Sequence, residues 1–504
     1  MVVFENGWFF EVRHVHNSTI KSVGVKHKKH ITLIWPSNPG LVMAMPISLA
    51  YLTGNLDKKK YKVDVIDCVL NKIDHDQIVR RITRFKSQVV GISSWSINFN
   101  ESLEIARVIK AKYPHLPVIM GGPHATCYPD SVMKHKEIDF MFRGEAELIF
   151  PLFLEELEKK TRRWSRIPGL TYRTKAGQIK GQAPYLTARL DDLRLPDYEA
   201  IRLDDYLKKG YRLISSQKRN VPLVTTRGCP YGCTYCSASL INGKAVRSHS
   251  IEYLMKQIRY LYDEKRIKSF SILDDNFTFD TNYAKEFCRS VIALGLKGAE
   301  FCTTNGIRMQ RGDRELWDLM KRAGWKIIII APESGSKRVL RLMRKGLEPK
   351  IVPPIVDEIK AAGLRVTANF IIGFPGETRA DLAKTTALIK KANIDFANIH
   401  FFQPLPGTPI FDELVRRGEI SADFLPGSYE KGAARYITKS LKNFNFSRFY
   451  YKTVLYCLWR NPTYIYYFLK SYRLRPLFQR LISEFINMFR PPVRTNYAVQ
   501  NLRR

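Results

Sequence analysis

The chain has 504 residues, 45% of them hydrophobic, and a formal net charge of +35 at pH 7. The length predicts two or three domains. The charge predicts an attraction to nucleic acid, anionic lipid or acidic substrates, or else reflects adaptation to growth conditions or simply solubility. The spacing of its eight cysteines is not that of a secreted disulfide framework, and Glu5 and Glu11 interrupt any apolar signal peptide. No run reaches the roughly 18 apolar residues of a membrane span. We therefore expect a cytoplasmic protein, soluble or peripheral on the inner face of a membrane.

Residues 1–30 form a basic extension, and residues 31–155 alternate strand-like and helix-like patterns. Four apolar segments are predicted to be strands, at residues 31–35, 61–67, 88–93 and 116–121. A helical pattern covers residues 102–112. Alternation of this kind predicts a doubly wound parallel sheet, whose ligands bind beyond the carboxyl ends of the strands. No G-x-G-x-x-G follows the first strand, which argues against a dinucleotide.

Residues 156–205 are predicted to connect two domains. The segment from 168 to 180 is typical of a hairpin, and residues 190–197 are predicted to be an extended crossing. The alternation of strands and helices resumes in residues 206–425. Strands are predicted before the cysteine loop at 221–225 and then at 269–273, 299–303, 325–330, 365–372 and 398–402. About six β/α units predict a partial barrel, with its chemistry on the loops after the strands.

The loop after the first of these strands carries Cys229, Cys233 and Cys236 in the spacing C-x-x-x-C-x-x-C. Three thiolates suit an iron–sulfur cluster that needs four ligands and leaves one iron open. A zinc site would need a fourth ligand nearby, for which His249 is the only loose candidate. Three merely buried thiols are the structural alternative.

This loop resembles the cluster-binding loop of the radical S-adenosylmethionine enzymes. The resemblance implies a 4Fe-4S cluster whose open iron chelates S-adenosylmethionine. One electron then cleaves the sulfonium, and the 5′-deoxyadenosyl radical removes a hydrogen atom from the substrate. It also implies that Tyr235 lies beside the adenine. The cofactor carries the difficult chemistry, and the protein positions and shields it.

The first domain resembles the cobalamin-binding domain that precedes the radical domain in one large branch of this superfamily. The segments Gly121-Gly-Pro-His-Ala125 and Arg143-Gly-Glu-Ala-Glu147 carry the resemblance. The D-x-H-x-x-G motif, whose His coordinates cobalt, is absent, so cobalamin would be held without a protein His, or the domain has lost it. His124 is a candidate cobalt ligand, although a loop His there more often hydrogen-bonds locally. The residues expected to contact cobalamin are Ser93, Ser94, Gly121, Gly122, His124, Gly144 and Glu145.

The loops of the predicted barrel resemble those of the methylthiotransferase-like and cobalamin-dependent radical enzymes along the whole domain. By that resemblance, Glu333, Ser334 and Gly335 contact the ribose or methionine part of S-adenosylmethionine. Gly373, Phe374, Pro375 and Gly376 lie against its adenine, and Asn305 belongs to the same cofactor site. Ala331-Pro332 stands where Gly-Ile is more usual.

Four further residues of the barrel have two interpretations each. Asp274 and Asp275 follow a strand, where a carboxylate serves either as an acceptor or base near the substrate or as a cap on the next helix. Cys288 lies in a helical pattern and Cys302 in a strand, and we expect buried thiols rather than a second cluster.

Residues 426–504 form a basic, aromatic tail. From 441 onward it carries twelve Lys or Arg and one acid, Glu484. Apolar residues between Leu477 and Phe489 fall on one helical face. This pattern predicts either a helix in an anionic membrane interface or a cap packed on the barrel. Nucleic acid is the less favoured partner, because no auxiliary RNA-binding module is visible.

These patterns together predict an enzyme that methylates an unactivated carbon of a hydrophobic, lipid or isoprenoid-like substrate. It would use the cluster, S-adenosylmethionine and methylcobalamin, with electrons from a flavodoxin or ferredoxin type of donor. A radical cyclase or oxidoreductase acting on a lipid or porphyrin-like substrate, and a redox sensor without turnover, are the alternatives. Formation of 5′-deoxyadenosine excludes the sensor, and S-adenosylhomocysteine distinguishes methylation from cyclisation.

Overall fold

The computed structural model describes residues 28–37, 45–174, 176–209, 219–427, 436–462 and 464. Most of the basic extension and the predicted helix at 477–489 lie outside these residues. Within them, no helix combines the length and the apolar character that a membrane span requires.

The first sheet has seven strands in the order β2-β1-β3-β4-β5-β6-β7. They are β1 (Lys29–Trp35), β2 (Tyr61–Asp67), β3 (Val89–Ser93), β4 (Val118–Gly121), β5 (Phe140–Phe142), β6 (Leu170–Arg173) and β7 (Ile179–Lys180). The first five are parallel, and β6 and β7 add an antiparallel hairpin at the β5 edge. The predicted hairpin thus extends this sheet, and β5 is a strand that the sequence analysis did not identify.

Helices cover both faces of this sheet. They are α1 (Ile47–Gly54), α2 (Cys68–Asn71), α3 (His75–Phe85), α4 (Phe99–Lys112), α5 (Pro123–Cys127), α6 (Pro129–Met133), α7 (Ile149–Leu157) and α8 (Leu203–Lys208). Side chains alternate across a strand. In β1, Ile34 therefore packs with α3 and α4 in one core, whereas Ile31 and Leu33 belong to a second core that continues into the rest of the chain.

The second unit contains six parallel strands in chain order. They are β8 (Asn220–Leu223), β11 (Ser269–Ile272), β12 (Glu300–Thr303), β13 (Ile327–Glu333), β14 (Arg365–Ile372) and β15 (Phe396–Phe401). These strands form two three-stranded sheets, β12-β11-β8 and β13-β14-β15. Parallel bridges from Phe301 to Trp325 and from Ile307 to Ile330 join the two sheets. A short antiparallel hairpin, β9 (Thr226–Arg227) with β10 (Arg247–Ser248), flanks the cysteine loop. The predicted fold class, a doubly wound domain followed by a partial (β/α)6 barrel, is confirmed.

Helices follow the strands of this unit. They are α9 (Ala238–Asn242), α10 (Ile251–Asp263), α11 (Thr281–Ala293), α12 (Arg314–Ala323), α13 (Lys337–Leu342), α14 (Val352–Ala361), α15 (Arg379–Lys391), α16 (Pro409–Arg416) and α17 (Phe446–Arg460). Ser250, Asp280, Asp313 and Thr378 cap α10, α11, α12 and α15 by accepting hydrogen bonds from first-turn amides. Cys288 in α11 and Cys302 in β12 are buried, as predicted.

Helix α17 packs along β15, the last strand of the barrel. Tyr450, Thr453 and Cys457 form its buried face. On the opposite face, Leu455 and Trp459 are 59% and 80% exposed. This part of the tail is therefore a helix packed on the barrel that leaves two large apolar side chains exposed. The helix at 477–489, for which the membrane and cap alternatives were predicted, lies outside the described residues.

Candidate active site

The cysteine loop runs from β9 to α9 without regular secondary structure and holds three free, partly exposed cysteines, Cys229, Cys233 and Cys236. Gly228 begins the loop at φ +108°, and a Cβ there would lie 2.1 Å from the carbonyl oxygen of Ala245. The Cys229 amide donates to the Gly243 carbonyl at 2.9 Å. The loop is thus bound tightly to the segment before β10 at its first cysteine.

The middle of the loop is held from the other side of the barrel. The amide of Thr234 donates to the Met343 carbonyl at 3.0 Å, and its hydroxyl donates to the Leu342 carbonyl at 3.1 Å. The guanidinium of Arg308 lies 3.5 Å from the ring centroid of Tyr231. It also donates to the Gly346 carbonyl at 3.3 Å. The loops after β12 and α13 therefore fix the cysteine loop between them.

Three thiols in one loop match the ligand set of an iron–sulfur cluster with one open iron. Burial raises the pKa of Cys229, and burial with the neighbouring thiols raises that of Cys236 to about 12. Thiols in this setting ionise readily only beside cations such as iron. Among the described residues, no three His, Cys, Asp or Glu side chains are close enough to hold one metal ion. His249, the candidate zinc ligand, instead pairs its Nδ1 with Asp191 at 3.0 Å and stacks on Tyr253.

Three of the residues expected around S-adenosylmethionine converge beside this loop. The Tyr235 hydroxyl donates to Glu333 Oε1 at 3.0 Å, and the Tyr235 ring packs edge-on to Phe374 with centroids 6.4 Å apart. Glu333 adopts φ +65° at the end of β13, a conformation that costs about 1–3 kcal/mol and is typical of functional sites. Lys345 Nζ lies 2.8 Å from the same carboxylate oxygen. Sequence reasoning missed Lys345, because no motif marks it.

Other residues predicted to contact S-adenosylmethionine, Ser334, Gly335 and Gly373, make packing contacts near Glu333. Ser334 is buried beside Thr385, and a Cβ on Gly335 would lie 2.4 Å from the Lys384 carbonyl, so both hold β13 against α15. The Gly373 amide donates to Glu377 Oε2 at 2.6 Å. Glu377 is fully buried, its Oε1 has no partner among the described residues, and burial raises its pKa to about 7.

A turn over residues 373–376 follows β14. Gly373 and Gly376 both have positive φ, Phe374 and Pro375 between them are buried, and Gly376 is exposed. On the neighbouring loop, exposed Asn305 donates to the Leu273 carbonyl at 2.7 Å. Phe374 of this turn contacts Tyr235, whereas Asn305 is bonded to the loop after β11.

Asp274 and Asp275 hold the two ends of the cysteine loop. Asp274 is buried and accepts from the backbone amides and the hydroxyls of Thr225 and Thr226. Burial raises its pKa to about 6. Asp275 accepts from Asn242 at 2.8 Å and from the Gly228 amide, and burial raises its pKa as well. The helix-cap interpretation is wrong for both, because Asp280 caps α11.

The carboxyl edge of the first sheet offers a polar cradle. The Ser94 amide donates to the Gly121 carbonyl at 2.8 Å. Gly122 has φ +95°, and a Cβ there would lie 2.8 Å from the Ser94 carbonyl, so only glycine fits. The hydroxyl of Ser94 is buried without a partner in the described structure, and Ser93 lies beside it. An unpaired hydroxyl on a glycine-shaped edge fits a large polar cofactor such as cobalamin.

His124 does not fit as a cobalt ligand. It is fully buried, with Nδ1 2.9 Å from the Ser96 hydroxyl and Nε2 2.8 Å from the Ser131 hydroxyl. Its ring packs on Phe99, and burial lowers its pKa to about 3. Both nitrogens are engaged, so the ring has none to offer a metal. The local hydrogen bonds that the sequence analysis gave as the alternative are what the structure contains.

Glu145 and Gly144 join the two parts of the chain. Glu145 pairs with Arg247 through two hydrogen bonds of 2.7 and 2.9 Å. A Cβ on Gly144, at φ +83°, would lie 2.1 Å from the Tyr185 carbonyl. Glu145 is thus held by an ion pair and Gly144 by close backbone packing, and their contact with cobalamin stays a prediction.

The cradle faces the cysteine loop. Helix α5, which begins at Pro123 beside the cradle, packs against α9, which follows Cys236. A Cβ on Gly407 in the loop after β15 would lie 2.2 Å from the Cys127 carbonyl at the end of α5. The carboxyl edge of the first sheet and the cysteine loop thus meet across one interface.

Comparison with known proteins agrees with this geometry. The model of the Radical SAM superfamily matches residues 223–389, and that of the B12 binding domain matches residues 43–154. An uncharacterized methyltransferase of Pyrococcus horikoshii is 31% identical over 73% of this chain and 78% of its own length. Cytidylyl-2-hydroxyethylphosphonate methyltransferase of Streptomyces wedmorensis is 27% identical over 75% and 79%. The radical S-adenosylmethionine methyltransferase TsrM of Kitasatospora setae, with cobalamin and a 4Fe-4S cluster bound, shares the fold with a TM-score of 0.63 at 17% identity, over 78% of this chain and 75% of its own.

Proposed function

The chain belongs to the cobalamin-dependent radical S-adenosylmethionine methyltransferase family, with a 4Fe-4S cluster, S-adenosylmethionine and cobalamin as its cofactors, and on that premise we propose that it methylates an unactivated carbon of a hydrophobic substrate of lipid or isoprenoid type. The observation that carries the proposal is the contact between α5 and α9. It sets the cradle of the first sheet against the cysteine loop. Methyl transfer to carbon needs both cofactors at one substrate, and this arrangement supports it.

The cluster supplies one-electron cleavage of S-adenosylmethionine, and cobalamin supplies a transferable methyl group. The residues of the chain position these groups. Cys229, Cys233 and Cys236 would hold the cluster. Tyr235 and Phe374 offer a right-angled pair of rings for the adenine. Glu333, held by Lys345, offers a carboxylate to the ammonium or the ribose hydroxyls.

Asp275 is the better of the two predicted catalytic carboxylates. Asp274 is buried and accepts four hydrogen bonds within the barrel. Asp275 is only partly buried and accepts from Asn242 and from the amide of Gly228, the residue before Cys229. We propose that Asp275 acts as an acceptor at the edge of the substrate site.

The outward face of α17 supports a hydrophobic substrate. Leu455 and Trp459 are exposed there beside Arg448 and Lys452, on a helix whose other face is fixed to the barrel. Exposed Trp and Leu with basic neighbours suit an anionic membrane surface. We propose that the enzyme acts in the cytoplasm at the inner face of a membrane, with a flavodoxin or ferredoxin type of donor, and that nucleic acid is not its partner.

The test is an anaerobic reconstitution with iron, sulfide and hydroxocobalamin. The loaded protein is incubated with a low-potential reductant, lipid extract and S-adenosylmethionine that carries a deuterated methyl group. We expect 5′-deoxyadenosine, S-adenosylhomocysteine and deuterated lipid by mass spectrometry. A Cys233→Ala variant, which lacks one of the three thiols, is the control and should give none of the three products.

Three outcomes separate the alternatives. Formation of 5′-deoxyadenosine without S-adenosylhomocysteine would refute methylation and favour cyclisation or oxidation. Neither product, from protein that holds both cofactors, would indicate a sensor without turnover. Deuterium in polar metabolites instead of lipids would refute the substrate class and leave the methyl transfer intact.

A further inference from the structure

Four charged side chains are buried between the loop after β5 and the β9–β10 hairpin. Arg227 Nη2 lies 2.8 Å from Glu147, Arg227 Nη1 lies 3.4 Å from Glu145, and Arg247 pairs with Glu145. These side chains are between 6% and 11% exposed. Two carboxylates face two guanidinium groups, so the network carries no net charge.

The network is placed at the root of the cysteine loop. Arg227 and Arg247 face each other in the register of the hairpin, and Arg227 is two residues before Cys229. The two glutamates belong to the loop that follows β5, at the carboxyl edge of the first sheet where the cradle lies. Arg227 also lies over the ring of Tyr51, in the helix α1 that packs on that sheet, at 5.3 Å from its centroid.

Stability alone is a weak reason for such a network. Replacing a buried ion pair by apolar residues is often neutral or stabilising, because both charges lose their hydration. What the network supplies is geometry, because Arg247 forms a bidentate pair with Glu145 and Arg227 bridges Glu145 and Glu147. The planar guanidinium groups fix both distance and direction. A link of this kind determines where the first cysteine stands relative to the first sheet.

We propose that Glu145 and Glu147 are positioning residues that set the separation between the cluster and cobalamin. Through Arg227 and Arg247 they hold the cysteine loop at a fixed place opposite the carboxyl edge of the first sheet. Loss of one carboxylate moves the cluster relative to cobalamin while both cofactors stay bound. The inference depends on the two cofactors and not on the substrate proposed above.

The test uses Glu147→Gln, which keeps the shape of the side chain and removes its charge. Glu147→Gln/Arg227→Gln is a charge-balanced second variant, because it leaves Glu145 paired with Arg247. Glu147→Asp is the conservative rescue, and Glu104→Gln, in an exposed pair with Arg107, is the matched control. Each full-length protein is loaded with iron, sulfide and hydroxocobalamin, and both contents are measured.

The distance readout is the microwave power saturation of the cob(II)alamin electron paramagnetic resonance signal, recorded with the cluster oxidised and partly reduced. A nearby reduced cluster speeds the relaxation of cob(II)alamin, and the effect falls steeply with distance. We expect both glutamine variants to keep their cofactors and the g values of the cluster but to lose most of this enhancement. Glu147→Asp and Glu104→Gln should retain it.

Wild-type enhancement in a loaded glutamine variant would overturn the proposal. So would a loss of enhancement accompanied by altered cluster g values, because the cluster itself would then be disturbed. Loss of iron from both glutamine variants would also overturn it, since the network would then serve the fold and not the placement of the cluster.

Discussion

Replacing Gly228 by alanine tests how the close contact between Gly228 and Ala245 positions the start of the cysteine loop. The residue has φ +108°, and the added Cβ would lie 2.1 Å from the Ala245 carbonyl oxygen. A non-glycine residue in such a conformation costs about 1–3 kcal/mol. The backbone must also move away from Ala245, which disrupts the adjacent hydrogen bond from Cys229 to Gly243, worth about 0.5–1.5 kcal/mol. The expected loss is therefore about 2–4 kcal/mol.

The expected fall in melting temperature is small, because the chain is large. With an unfolding entropy of about 2.1 cal/mol/K per residue, 504 residues that unfold as one unit lose about 2–4 °C. The iron content is the sharper readout, since the displaced residue is next to the first cysteine. We expect Gly228→Ala to hold far less iron than the wild type after anaerobic reconstitution, as measured by iron analysis and the cluster spectrum.

Gly232 is the matched control within the same loop. A Cβ there meets no atom within 4 Å, and its φ is not in the positive region. Gly232→Ala should therefore keep both the iron and the melting temperature of the wild type. Equal iron content in the two variants would refute the reasoning, because the close approach to Ala245 would then not determine the position of the loop.

Three further predictions concern neighbouring groups. Glu377 has a folded pKa of about 7, above the ordinary 4.5, so its contribution to stability is fully present below pH 4.5 and is lost as the pH rises to 7. Between these pH values, the melting temperature of Glu377→Gln should therefore fall less steeply with rising pH than that of the wild type. Equal slopes for the two proteins would contradict the assignment. Asp274→Ala leaves four donors without an acceptor and should destabilise the protein by about 2–4 kcal/mol in denaturant unfolding, whereas a change below 1 kcal/mol would show that water replaces it. Lys345→Met removes the ion pair of Glu333 and leaves its hydrogen bond from the Tyr235 hydroxyl. We expect the affinity for S-adenosylmethionine to fall at least about ten-fold, worth about 1.4 kcal/mol, as measured by titrating the change that the ligand causes in the cluster resonance. Unchanged affinity would place the cofactor elsewhere.

The sequence predicted those parts of the site that local spacing determines. The three cysteines are within eight residues, and their spacing alone indicated the cluster. The alternation of apolar and helical segments similarly gave the doubly wound sheet and the six strands of the barrel. β5 was not predicted because it has only three residues, Phe140–Phe142.

Contacts between distant residues could not be predicted in this way. Glu145 lies 102 residues before its partner Arg247, and Asp274 lies 49 residues after Thr225. In the sequence, each carboxylate is only a polar residue in a loop after a strand, which equally suits a ligand, a cap or an ion pair. For Glu145 the packing of the two units against each other selects among these roles, and for Asp274 the packing of neighbouring strands within the barrel does so.

The apolar core described above does not stop at the boundary between the two units. Ile31 and Leu33 of β1 share one contiguous cluster with Val221 of β8 and Phe270 of β11. Such a core makes the halves thermodynamically dependent on each other, so a ligand bound to one half stabilises both. Cobalamin at one hundred times its dissociation constant would add about 2.7 kcal/mol to the unfolding free energy of the whole protein. A radical domain expressed without the first 200 residues would instead carry a wide apolar face into solvent, and its failure to fold would say nothing about the chemistry of its cysteines.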